Sequence, residues 1–191
     1  MTFQLTEPIL IIGLGGVGTR LAEKAKKSLN SNCLMISHDQ NDLTAENSIK
    51  ISTKSVVNPS THLIRGSTLE TSDEIKKNIV NYSTVILMSN LAGKAGAGIG
   101  PIVSRICKQE QKNLLSFAIM PFKFEKARIF QSGIALKRVR QDSQCTIVVD
   151  NDALLDSNPD LTQNQCYDIS NKAIESMMPV SYTHLPLPTQ A

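Results

Sequence analysis

Gly13-Leu-Gly15-Gly16-Val-Gly18 is the feature that most restricts what this 191-residue chain can fold into. An unbroken apolar run, Pro8-Ile-Leu-Ile-Ile12, leads into it. A helical pattern follows, with Leu21, Ala22, Ala25 and Leu29 on one face and Lys24, Lys26 and Lys27 on the other. An apolar run without alternation suits a strand buried on both faces. Glycines let the backbone turn tightly and approach a ligand closely. At a helix start the unpaired N–H groups and the dipole favour an anion. Strand, glycine turn and helix together predict a phosphate-binding turn.

The rest of the chain repeats the alternation. Cys33–Ser37, Ser48–Ser52, Thr84–Met88, Leu114–Met120 and Thr146–Val149 read as strands. Helical patterns follow Ser72, begin at Pro101 and run to Gln111, span about Glu125 to Arg140, and run from about Thr162 to Met178. Thr53–Ser72, with Pro59, Gly66 and many hydroxyl residues, reads as a long loop. This order predicts a single α/β domain, a Rossmann-like and mostly parallel sheet with helices on both faces.

Composition removes several classes. A net charge of +3 without a concentrated basic stripe argues against a nucleic-acid partner. Four dispersed cysteines, without Cys-x-x-Cys or neighbouring histidines, exclude the common zinc patterns and a disulfide scaffold. No apolar stretch approaches the roughly 20 residues that span a bilayer, and no leader pattern opens the chain, so a cytoplasmic protein without membrane insertion is expected.

The first glycine run leaves two phosphate ligands open. Gly13, Gly15 and Gly18 match the dinucleotide spacing, and Asp39 follows 21 residues after Gly18, where the ribose-binding acid of an NAD site belongs. The opening is also similar to that of enzymes that adenylate ubiquitin-like proteins. A second glycine-rich segment, Ser89 to Pro101, follows the strand ending at Met88. Two such turns at the carboxyl edge of one parallel sheet would wrap a polyphosphate from both sides.

With these turns in place, the chain from about Ile9 to Met178 resembles the tubulin/FtsZ superfamily, and its FtsZ branch most. Pro121-Phe-Lys-Phe-Glu125 is similar to a family segment whose Glu contacts the ribose. Asn151-Asp152-Ala-Leu-Leu155 is similar to a segment whose Asn lies near the guanine, and the helix bearing Asn171 corresponds to the central helix that reads the base edge. The resemblance implies GTP or GDP with Mg2+ as ligands. Gly15, Gly16, Gly18, Thr19 and Arg20 would form one side of the site and Gly93, Lys94, Ala95, Gly96, Ala97 and Gly98 the other. Glu125 would lie at the ribose, with Asn151 and Asn171 at the base. No catalytic residue is assigned within this chain.

The departures from the family pattern are specific. Ala95 and Ala97 stand where its glycine signature carries threonines, Lys94 where it carries a glycine, and Arg20 where it carries an asparagine. Lys94 either adds a positive charge or obstructs the turn. Gly66-Ser67-Thr68 is the candidate for the missing γ-phosphate segment. The family hydrolyses GTP with an acidic loop after the central helix, inserted into the next subunit of a head-to-tail filament. That loop is absent from this sequence, so filament assembly and GTP hydrolysis belong to a full-length form. Residues 179–191 break the helical pattern and look like a translated adapter scar, leaving 1–178 as the domain. A Rossmann-type NAD- or adenylate-binding enzyme and a hydrolysis-deficient FtsZ-like scaffold are the alternatives.

Overall fold

The computed structural model describes residues 2–3, 5–180 and 185–186. The strands are β1 (Thr2–Phe3), β2 (Ile9–Leu14), β3 (Asn32–Ser37), β4 (Ser48–Lys50), β5 (Thr84–Asn90), β6 (Asn113–Ile119), β7 (Cys145–Val149) and β8 (Leu185–Pro186). The helices are α1 (Gly15–Leu29), α2 (Thr61–Glu70), α3 (Ser72–Ile79), α4 (Lys94–Gln109), α5 (Lys126–Asp142), α6 (Asn151–Ser157) and α7 (Gln163–Val180), with a short 3-10 turn at Gln40–Asp42. Six strands form one parallel sheet in the order β4-β3-β2-β5-β6-β7, while β1 and β8 pair separately and antiparallel. The doubly wound architecture expected from the alternation is the one observed. The expected domain boundary at 178 falls inside α7, and most of the suspected scar lies outside the described residues.

Alternate residues of the central strands feed two cores. Leu10, Ile12, Leu14, Val85 and Leu87 pack with Ile64 of α2, Ile75 and Ile79 of α3, and Ile99 and Val103 of α4. Ile9, Ile11, Ile86 and Met88 pack on the other face with Leu21, Ala22 and Ala25 of α1 and Ile174 of α7. The helices that follow β2 and β5 therefore leave toward opposite faces. Between two such strands an open α/β sheet forms its ligand crevice.

Two expectations are corrected. The Thr53–Ser72 stretch is helical from Thr61, because its hydroxyls bond within the helix rather than to turns. Ser60 caps the N-terminus by accepting from the Leu63 N–H, and Thr68 and Thr71 donate to the carbonyls of Ile64 and Ser67. Likewise, Pro101 does not open a helix but lies inside α4, which begins at Lys94. A proline there cannot bond to the carbonyl four residues back. The freed Ala97 carbonyl accepts instead from the Arg65 guanidinium of α2 at 3.2 Å.

Candidate functional site

The two turns leave the sheet side by side, because β2 and β5 run in register with Gly13 opposite Met88 and Leu14 opposite Ser89. Gly15 has φ of +64°, and a Cβ there would lie 2.8 Å from the Cβ of Ala95. The first turn thus touches the first turn of α4. A Cβ on Gly18 would strike the Met88 carbonyl, so that glycine lets α1 settle onto β5. Neither α1 nor α4 has a capping side chain or an acidic residue in its first turn. The N–H groups of Gly15, Gly16 and Val17, and of Lys94, Ala95 and Gly96, therefore have no intrahelical acceptor. Two positive helix ends meet at one point of the crevice.

The second glycine segment is only half turn. Asn90 to Gly93 form the bend, with the Asn90 side chain accepting from the Ala92 N–H at 3.0 Å and the Gly93 N–H donating to the Asn90 carbonyl. Gly96, Ala97 and Gly98 are already helical. Gly96 lies against the Asn90 carbonyl, and a Cβ on Gly98 would come within 2.9 Å of Ile64. The Gly96 N–H has no acceptor within its own helix, whereas Ala97 donates to Gly93 and Gly98 serves the contact between α2 and α4. Gly66, Ser67 and Thr68 sit within α2, so they form no phosphate-facing turn.

Beyond the turns a cleft of about 640 Å³ separates α1 from α7, lined among others by Val17, Arg20, Asn90, Tyr167, Asp168 and Asn171. Asn90 belongs to the second turn and Val17 to the start of α1, so the cleft is continuous with the crevice. The Asn171 side-chain oxygen is buried and has no hydrogen-bond partner among the described residues. A ligand edge that donates there would satisfy it. Tyr167, one helical turn earlier, was not singled out from the sequence. Its spacing of four from Asn171 is the signal that places both on one helix face. Tyr167 meets Phe122 edge-on at 5.4 Å, and its ring offers a flat surface to a base.

Glu125 accepts from the Phe122 N–H at 3.0 Å and pairs with Arg128 at 2.8 Å. Both groups act on the Tyr167 hydroxyl. Burial raises its pKa, the bond from Gln163 lowers it, and Glu125 and Arg128 pull in opposite senses. The pair therefore stands close to Tyr167. Asn151 is fully buried, accepting from Ser170 at 2.6 Å and donating to the Met120 carbonyl at 3.4 Å. It ties the end of β6 to α7 beside Asn171 and does not line the cleft. Thr19 is buried with its hydroxyl on the Gly16 carbonyl. Lys94 reaches away from the turn to Asn58 at 2.6 Å. Asp39 caps its own 3-10 turn by accepting from the Asn41 N–H.

Paired helix N-termini at the switch point of a doubly wound sheet, opening into a polar cleft, define a nucleotide-binding α/β domain. The chain belongs to the Tubulin/FtsZ family, GTPase domain, whose model matches residues 8–159. It is 28% identical over 110 residues to cell division protein FtsZ 2 of Halobacterium salinarum, covering 57% of this chain and 28% of that protein. It is 24% identical over 183 residues to FtsZ 1 of the same organism, covering 90% and 46%. Among solved structures, an empty FtsZ dimer of M. jannaschii superposes with a TM-score of 0.78 at 20% identity, covering 91% of this chain and 54% of that one. CetZ of Methanosaeta thermophila gives 0.70 at 18% identity, covering 88% and 51%. The chain thus spans about half or less of each of these relatives. Among the described residues no helix is long and apolar enough to cross a membrane, and no group of three or more His, Cys, Asp or Glu could hold a metal ion.

Proposed function

We propose that this chain is the guanine-nucleotide-binding half of an FtsZ-like cell-division or cytoskeletal protein. The contact between Gly15 and Ala95 carries the reading, since it brings two uncapped helix starts together. The phosphates of GTP or GDP lie across Gly15, Gly16, Val17 and Lys94 to Gly96. The base enters the cleft against Tyr167, with its donor edge on the Asn171 oxygen. Glu125 stands on the ribose side, and Arg20 at the cleft wall meets the negative charge.

Magnesium binds mainly through phosphate oxygens and water. Asp42, lying against Gly16 and accepting from the Ser37 hydroxyl at 2.6 Å, is the carboxylate this turn offers it. Ala95 and Ala97 remove two hydroxyl donors from the second turn, and a neutral hydrogen bond is worth roughly 0.5–1.5 kcal/mol. Their absence weakens the hold on the phosphates and motivates the hydrolysis-deficient scaffold alternative. Head-to-tail assembly, with GTP hydrolysed at the subunit contacts, is the behaviour this reading assigns to the whole protein. The NAD alternative loses support because Asp39 is engaged in its own cap.

Competition against a fluorescent GDP analogue tests the reading. GTP and GDP displace the probe, ATP and NAD do not, and Asn171→Leu weakens GDP about fivefold to tenfold. Equal displacement by all four nucleotides, or no binding at all, contradicts it.

A further inference from the structure

The two walls of the cleft between α1 and α7 offer a ligand different chemistry. On α1, Val17 and Leu21 lie one turn apart on one helix face, with Arg20 beside them. On α7, Tyr167, Asp168 and Asn171 share a face at spacings of three and four. The first wall supplies apolar surface and positive charge. The second supplies an aromatic ring and hydrogen-bond acceptors.

Asp168 is the one carboxylate that lines the cleft among the described residues. It is exposed, and its carboxylate forms no hydrogen bond or ion pair among them. Glu175, further along the same helix, is held by Lys24 of α1 at 2.6 Å. Arg20 lines the cleft as well and forms no ion pair with Asp168. The cleft thus keeps a cation on one wall and an anion on the other without joining them.

The amide of Asn171 cannot by itself tell one purine from another. The Watson–Crick edge of guanine presents O6 as an acceptor, then N1–H and the exocyclic amino group as donors. An asparagine amide carries one acceptor oxygen and an NH2 donor, so it matches N1–H and O6 as a pair. Hypoxanthine presents that same pair. Adenine presents the reverse pair, which the amide matches once it turns over. A carboxylate has no such freedom, because it only accepts. Of these three bases, guanine alone carries a donor next to N1 on the side away from O6. Asp168 stands three residues before Asn171, on the adjoining turn of the same face.

We infer that Asp168 selects guanine by accepting from its exocyclic amino group, while the buried Asn171 oxygen takes N1–H. This rests on the guanine-nucleotide reading and assigns its base selectivity to a side chain outside both glycine turns. It also gives a purpose to a carboxylate that otherwise only opposes the arrival of phosphates. A hydrogen bond to a charged acceptor is stronger than a neutral one, and its loss at this exposed position weakens binding about tenfold.

Competition on the full chain against a ribose-labelled fluorescent GDP, with GDP and IDP as competitors, tests the inference. IDP is GDP without the exocyclic amino group. GDP binds about tenfold more tightly than IDP. Asp168→Ala lowers GDP to the level of IDP and leaves IDP unchanged. Asp168→Asn improves binding of XDP, whose exocyclic oxygen then meets an N–H donor in place of a carboxylate. The position is exposed, so circular dichroism is the same for both variants. Equal binding of GDP and IDP by the unsubstituted chain, or a preference for GDP that survives Asp168→Ala, overturns the inference and leaves the guanine-nucleotide reading standing. A chain that does not bind the labelled GDP overturns both.

Discussion

Gly15 meets two demands that no other residue satisfies together: a left-handed backbone angle and contact with Ala95 at the site of its missing side chain. Gly15→Ala would strain the backbone and push α4 away, costing about 1–3 kcal/mol. Urea unfolding checks the loss, and nucleotide binding should fall with it. Unchanged stability would mean the two turns are not in contact. The glycines of the first turn were legible because strand, turn and helix fix their context. The roles of Asn151 and Thr19 were not. Each carries a hydroxyl or amide that fits a nucleotide equally well on paper, but tertiary packing turns Asn151 to Ser170, and Thr19 bonds back to the Gly16 carbonyl within its own helix.

At the scale of elements, α2 and α4 are locked by the exchange in which Arg65 replaces the N–H that Pro101 lacks. Arg65→Met should cost about 1–3 kcal/mol by leaving the Ala97 carbonyl unsatisfied in a buried setting. In a Pro101→Ala background the same substitution should cost much less, because the helix bond is restored. A double-mutant cycle by chemical denaturation reads this coupling, and simple additivity would contradict it. The parallel sheet, its strands and most helices were legible from period and punctuation. α2 and the start of α4 were not, for a common physical reason. Serine, threonine and glycine favour turns when isolated, yet here the hydroxyls bond within their own helix. Gly96 and Gly98 are helical because only a bare Cα fits against the Asn90 carbonyl and Ile64.

Across the whole molecule the four cysteines are buried and free. Burial pushes the Cys33 thiol up to about 11 and the Cys107 thiol up to about 12, from an ordinary 9.0. A thiol that ionises more readily in the unfolded chain than in the native one leaves stability flat below pH 9. Stability is then lost as the pH rises from 9 toward 11 and 12. Denaturation midpoints across that range check the slope, and thiol reagents at pH 8 should label the protein only as fast as it opens.

The convergence of the Gly15 turn and the α4 start on one row of phosphate oxygens is the claim on which the functional account rests. Backbone hydrogen exchange on the full chain, with and without saturating GDP and Mg2+, reports on it directly. The account predicts slowed exchange in both 15–17 and 94–96, together with the Tyr167–Asn171 face of α7. Protection confined to the first turn, or absent from both, would contradict it.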